Sequence, residues 1–216
     1  MDRSASLAKA SKGLKRQVVQ GIAAVLCTVL AAVAFPALGS GLPESSALIA
    51  RYCEPEDGLR RGVTEAWCAM ELSRIRLRGS GEDGPEESVS LEVLVAADER
   101  SRLAGYQWID PALAGSTATL FLFPRPVHGA FHMCNVDAPL WIVWYREDGS
   151  PLDVALMLPG QDVPAALCRD LYAPRRPETY RYALEIGVEL AQRLGLDRQR
   201  LSRLRLELEP WMNEAR

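Results

Sequence analysis

The segment "PLWIVWYREDGSPLDVALML", residues 139–158, constrains the fold more than any other part of the chain. Two apolar runs flank Glu147-Asp148-Gly149-Ser150. Asp-Gly between such runs predicts a β-hairpin closed by a tight primed turn. Trp141, Val143 and Tyr145 fall on one face of the first strand, and Leu140, Ile142 and Trp144 on the other. A strand apolar on both faces has to be covered on both, so this hairpin belongs within a layered sheet or lines a small barrel.

Other segments supply partners. "ELSRIRLRG" (71–79) alternates in an arginine-rich setting and reads as an edge strand. "SVSLEVLVAAD" (88–98) is strand-like, and Asp98 is placed to cap a short helix in "DERSRLAGYQW". "TATLFLFPRP" (117–126) reads as a buried strand that Pro124 should stop. "ETYRYALEI" (178–186) is a further strand, broken by Gly187, and "VELAQRLG" is a two-turn helix ended by Gly195. "RLRLELE" (203–209) alternates Leu204, Leu206 and Leu208 with charges. The expected class is α+β, mostly β: a small antiparallel β-barrel-like domain with short helices, preceded by an N-terminal apolar helix. The glycines of "GSGEDGPEE" (79–87) do not make a phosphate cradle, because four acids crowd them and the Walker lysine is absent.

That N-terminal helix follows from a charge asymmetry. Residues 1–40 carry Arg3, Lys9, Lys12, Lys15 and Arg16 against Asp2, whereas the remainder holds 20 Arg and 27 acids. The basic head precedes the apolar run "IAAVLCTVLAAVAFPAL" (22–38). This is the order of a secretory signal, with exits after Ala34 or after Gly39. An uncleaved anchor at 22–38, basic end in the cytoplasm, is the rival reading. Either way the expected organisation is signal or anchor over 1–40, a linker and irregular or helical extension over 41–70, and the main domain over 71–216. That domain would be periplasmic or extracellular, and would touch a membrane only through 22–38 if the segment is retained.

In an oxidising compartment Cys53, Cys68, Cys134 and Cys168 are disulfide candidates. Cys53–Cys68 is the favoured pair, being close in sequence and outside the main motifs, which leaves Cys134–Cys168; buried free thiols are the alternative.

The order "DERSRLAGYQWI", "TLFLFPRP", "FHMCNVDAPLWIVWYREDGS", "YRYALEIGVELAQRLGL" resembles the DUF192 family, also called UPF0127, over about residues 90–208. The resemblance implies a small, mostly antiparallel barrel-like domain, often exported, with no settled activity. The family's central motif reads Phe-Trp-Met-Lys-Asn-Thr, a short gap, then Pro-Leu-Asp. Phe131, Met133, Asn135, Pro139 and Leu140 fit it, while His132, Cys134, Val136 and Trp141 stand where Trp, Lys, Thr and Asp would be. Gly105-Tyr106-Gln107-Trp108-Ile109 takes the place of the earlier Gly-Leu-Met-Phe-Arg motif. The resemblance therefore implies a polar site rebuilt as an apolar or disulfide-linked surface. It marks Tyr106, Trp108, Phe131, His132, Asn135 and Trp141 as ligand-binding candidates.

The chemistry readable from the residues is sparse. His128, His132 and Cys134, with Cys168, could supply metal ligands or a Cys–His nucleophile pair, and this is the alternative function. Their spacing fits no zinc motif, and a Cys134–Cys168 bridge would consume two ligands, so neither a metal nor a cofactor nor a catalytic residue is expected. The acidic balance beyond residue 40 excludes a nucleic-acid partner. The expected function is a non-catalytic exported domain that binds a small molecule or an envelope protein.

Overall fold

Period-two alternation dominates the chain, and one seven-stranded sheet collects nearly all of it. The structure, a computed structural model, describes residues 45–55, 61–79, 87–160, 162–169, 171–210 and 212. The leader over 1–40, its apolar run and most of the 79–87 loop lie outside the described residues. Two short helices come first, α1 (Ser45–Cys53) and α2 (Glu65–Cys68). They are followed by β1 (Glu71–Gly79), β2 (Glu87–Ala96), α3 (Glu99–Ala104), α4 (Pro111–Ser116), β3 (Ala118–Val127) and β4 (Phe131–His132). The hairpin strands β5 (Leu140–Tyr145) and β6 (Pro151–Met157) precede β7 (Leu171–Tyr172) and β8 (Tyr180–Gly187). The chain continues through α5 (Val188–Arg193), α6 (Arg198–Leu201) and β9 (Leu204–Glu207). The sheet order is β6-β5-β8-β3-β2-β1-β9, and β4 with β7 forms a separate two-stranded pair. All pairs are antiparallel except β2 with β3, which α3 and α4 connect in parallel.

Both faces of the curled sheet are covered, as the two-faced hairpin requires. Every strand of the sheet contributes to an inner layer that includes Leu77, Val93, Leu120, Val143, Leu184 and Leu206. An outer layer packs Leu94, Phe121, Ile142, Trp144 and Ala183 under the helices, through Trp67, Tyr106 and Leu113. Cys53 and Met70 belong to this outer layer, and the Cys53–Cys68 disulfide ties α1 to α2 beside it.

Four expectations need correction. β1 is not an edge strand, because the four-residue β9 pairs along its far side. Its arginines serve as a charged outer row, Arg74 bridging Glu92, and Arg76 and Arg78 bridging Glu207. Pro124 does not end β3. The strand continues to Val127, and its pairing with β8 breaks register between Leu122 and Val127. A residue without an N–H is tolerated where the ladder is already interrupted. The barrel is not closed by strand pairing, since β6 and β9 stay unpaired at the two ends of the sheet. They are bridged locally instead: the Leu206 amide donates to the Gly149 carbonyl at 2.8 Å, and Arg198 donates to the Val154 carbonyl at 3.0 Å.

The fourth correction is the hairpin turn. Both primed two-residue turns need positive φ at the first central residue, and type I′ needs it at the second as well. Here only Gly149 is positive, at 78°, and the Gly149 amide donates to the Arg146 carbonyl at 3.0 Å. Ser150 completes the loop by donating its amide to Asp148 Oδ1. Gly149 meets two demands at once: the left-handed backbone and a close approach to β9. A Cβ there would stand 2.3 Å from the Leu206 carbonyl oxygen. Gly149→Ala should therefore lower the unfolding free energy by about 3 kcal/mol, strain and overlap together. Urea unfolding of the variant checks this figure.

Candidate ligand pocket

Two local devices turn residues toward the outer face of the sheet. Asp98 caps α3 by accepting from the Ser101 amide at 2.9 Å, and Ser101 Oγ accepts from the Asp98 amide in return. At the other end Gly105, with φ 46°, turns the chain and sends Tyr106 inward. The Tyr106 hydroxyl donates to Thr117 Oγ1 at 3.1 Å, because the Thr117 proton is already given to the Leu113 carbonyl. Burial pushes the Tyr106 phenol well above its ordinary range, and the nearby Glu185 charge adds to the shift.

The second device is the 131–136 segment. Phe131 pairs with Tyr172 and His132 with Leu171 in the β4–β7 pair, and Cys134 is bonded to Cys168, their Cα atoms 5.9 Å apart. Met133 and Val136 sink into the outer layer. Asn135 adopts a left-handed φ of 63°, which its short amide side chain tolerates. Its carbonyl accepts from the Trp108 amide at 2.8 Å and its Nδ2 donates to Gln107 Oε1 at 3.1 Å, so the two motifs lock together. Gly160 closes over them from outside. A Cβ at 160 would lie 2.2 Å from the Met133 carbonyl oxygen.

Between α3, β3, β8 and the 127–136 segment lies a cavity of 380 Å³. Its walls are aromatic: Phe121, Phe123, Phe131, Tyr106 and Tyr180 line it. Phe131 holds the centre, with its ring edge-on to Phe121 at 5.0 Å and near Trp144 at 6.4 Å. At the rim, Arg102 stands over the Phe123 ring at 5.5 Å and donates to the Leu122 carbonyl at 3.0 Å. Glu185 also lines the cavity, although it is only 4% exposed. Burial alone raises its pKa from 4.5 to about 8. Opposite it across the β3–β8 ladder is Thr119, whose buried Oγ1 completes no hydrogen bond.

The structure brings together Tyr106, Phe131 and His132 as lining residues, with Asn135 behind them holding Gln107. His132 is half-buried; burial lowers its pKa, and its Nδ1 is enclosed without a partner. Trp108 does not line the cavity. Its indole is 59% exposed on a left-handed backbone, φ 63°, an unusual conformation for a bulky residue. Trp141 is on the other side of the sheet, packed against the inner layer with Val143 and Tyr145. Cys134 and Trp141 therefore do not form one rebuilt surface: Trp141 packs against the inner layer, and Cys134 is bonded to Cys168 beside the β4–β7 pair. His128 is exposed at the cavity mouth. The donor atoms of His132, Cys134 and Cys168 lie within 4.8 Å of one another, but the disulfide engages both sulfurs, leaving His132 as the free donor of the three. Both cysteine pairs expected from the sequence are bonded.

Sequence reasoning missed Glu185, Phe121, Phe123 and Tyr180 as lining residues, and Thr119 as the neighbour of Glu185. One signal was present: Glu185 is the only acid in "YRYALEIG", a run too apolar to leave either face in water.

The family model DUF192, described as "Uncharacterized ACR", matches residues 82–201. No curated protein matches the chain. Among solved structures, one from Sinorhizobium meliloti 1021, provisionally described as a transcription regulator, is 22% identical. It covers 62% of this chain and 93% of its own, with a TM-score of 0.44. A protein of unknown function from Novosphingobium aromaticivorans DSM 12444 is 19% identical and covers 68% of this chain and 98% of its own, also at a TM-score of 0.44.

Proposed function

The chain belongs to the DUF192 family, and from that premise we propose that its main domain works outside the cytoplasm as a non-catalytic receptor for a small, largely apolar molecule. The single observation that carries this reading is the 380 Å³ aromatic cavity on the outer face of the sheet. Its volume is in the range of small-molecule sites, and a few polar groups stand among its apolar walls. Export is supported by the basic-then-apolar leader of the sequence and by two disulfides, which persist in oxidising compartments. The bond to Cys168 also takes Cys134 out of service as a thiolate nucleophile, which favours binding over covalent chemistry.

A neutral apolar fluorophore tests the reading directly. N-phenyl-1-naphthylamine should bind saturably with one site per chain and brighten on entering the cavity. Leu103, 68% exposed at the rim, offers a substitution that leaves the core untouched. Leu103→Asp should weaken the probe several-fold with unchanged thermal unfolding. A linear, unsaturable fluorescence titration, or equal affinity in the variant, would remove the cavity as the binding site.

A further inference from the structure

We propose that the cavity selects organic ammonium ions, an apolar body held by the aromatic walls and the cationic end held at Glu185. The inference rests on the ligand-binding reading above and names the class of ligand. Its first support is an unanswered acid. Glu185 is 4% exposed, lines the cavity, and has neither a hydrogen bond nor an ion pair among the described residues. Buried carboxylates are ordinarily paired, because an isolated one is costly. The fold leaves this one aimed into open space and not into a protein partner.

The second support is its neighbour. Thr119 is opposite Glu185 in the β3–β8 register, and its enclosed hydroxyl completes no hydrogen bond. An unpartnered hydroxyl thus stands beside the carboxylate that cation capture produces, and an ammonium group carries N–H donors and the complementary charge. The walls form the third support. A cation is attracted to aromatic faces, and the rim already shows it, with the Arg102 guanidinium over Phe123. Arg102 does not answer Glu185. It is held at the rim by the carbonyls of Ala97 and Leu122, and its charge does not figure among the causes that set the Glu185 pKa.

Recognition of this kind is coupled to protons. Glu185 holds its proton up to about pH 8 in the empty cavity, so capture of a cation near neutrality releases one proton from the carboxyl group. The other charged or titratable groups sharing the cavity are Glu99, Arg102, Tyr106, His128, His132 and Tyr180. Tyr106 is pushed far up and Tyr180 to about 12, so neither phenol ionises between pH 6 and 8.5. Burial holds His132 below an ordinary histidine.

The test compares phenethylammonium with its uncharged counterpart 2-phenylethanol, by calorimetry on the disulfide-bonded protein at pH 6 and pH 8.5. An alkylammonium stays protonated across that range, as lysine does. The amine should bind at least tenfold more tightly at pH 8.5 than at pH 6, while the alcohol is indifferent to pH. Glu185→Gln, which keeps the side-chain size, should flatten the amine profile and leave the alcohol unchanged. Because the variant retains both histidines, a pH rise that persists in it belongs to them and overturns the inference. So does an amine that binds no better than the alcohol. If N-phenyl-1-naphthylamine still saturates the cavity in those cases, the receptor reading stands and only the cation preference falls. If the fluorophore also fails, both fall.

Discussion

Between pH 5 and pH 8 the unliganded protein should lose several kcal/mol of unfolding free energy, and Glu185→Gln should abolish that loss. In the unfolded chain Glu185 titrates near 4.5, and in the folded chain burial moves it to about 8. Below 4.5 both states carry the proton, and the side chain is neutral in each. Between the two values the folded state binds more protons than the unfolded state, so stability falls as pH rises. Above 8 both are ionised and the penalty is complete. The separation corresponds to roughly 5 kcal/mol, an upper figure because water entering the cavity would relieve part of it. His132 acts in the opposite sense: its pKa is lowered on folding, so its contribution is lost as pH falls below the ordinary histidine range. Comparing wild type with Glu185→Gln at each pH cancels that term. Urea unfolding at pH 5, 6.5, 8 and 8.5 should give near-equal stabilities at the acid end and a gap of several kcal/mol in favour of the variant at the alkaline end. Parallel curves would mean that Glu185 is solvated or paired in the folded protein. The same measurement explains why such a residue would persist: an acid that destabilises the empty domain is hard to account for except by what it meets in the cavity.

How much of this was open to the sequence depends on whether a property is local. Asp98 three residues before Ser101 announces a helix start, and the box forms as expected. Leu140 to Tyr145 announces a strand covered on both faces, and the two layers cover it. The cysteine pairing could be anticipated because Cys53 and Cys68 are near neighbours with few rivals. Apart from the hairpin turn, what failed was non-local. Nothing in "ELSRIRLRG" says that a four-residue strand 125 or more positions later will lie along it, so an interior strand reads as an edge. Nothing in "TLFLFPRP" says that β8 departs from the ladder near Pro124. The site shows the same division. Tyr106, Phe131 and His132 were reachable through motif positions, and they do line the cavity. Trp141 shares the motif but has the wrong parity: on β5 its side chain follows Val143 and Tyr145 into the inner layer. Glu185 lies in a segment of the resemblance but at no position singled out there, and its importance exists only once β3, β8 and α3 enclose a space in front of it.

The Cys134–Cys168 bond should matter more, and differently, than Cys53–Cys68. The two bonds close loops of 34 and 15 residues. Loop-closure entropy assigns them about 4 and about 3 kcal/mol respectively, if the unfolded chain behaves as a random one. The numbers are close, so stability alone hardly separates them; position does. Cys53–Cys68 joins α1 to α2 away from the cavity lining. Cys134 is two residues from His132 and three from Phe131, and Cys168 is three residues from Leu171, so the bond staples together the two strands of the β4–β7 pair. That pair is only two residues long on each side and cannot hold Phe131 in place by its own hydrogen bonds. Replacing both cysteines of a pair by serine avoids leaving a stray thiol. Cys134→Ser with Cys168→Ser should lower the urea midpoint and weaken N-phenyl-1-naphthylamine about tenfold, because the wall carrying Phe131 is no longer anchored. Cys53→Ser with Cys68→Ser should lower the midpoint comparably and leave the fluorophore affinity within twofold. Equal losses of affinity in both variants would show that the cavity senses global stability and not the staple. Unchanged affinity in the first would show that Gly160 and the Asn135–Gln107 contact hold the wall without it.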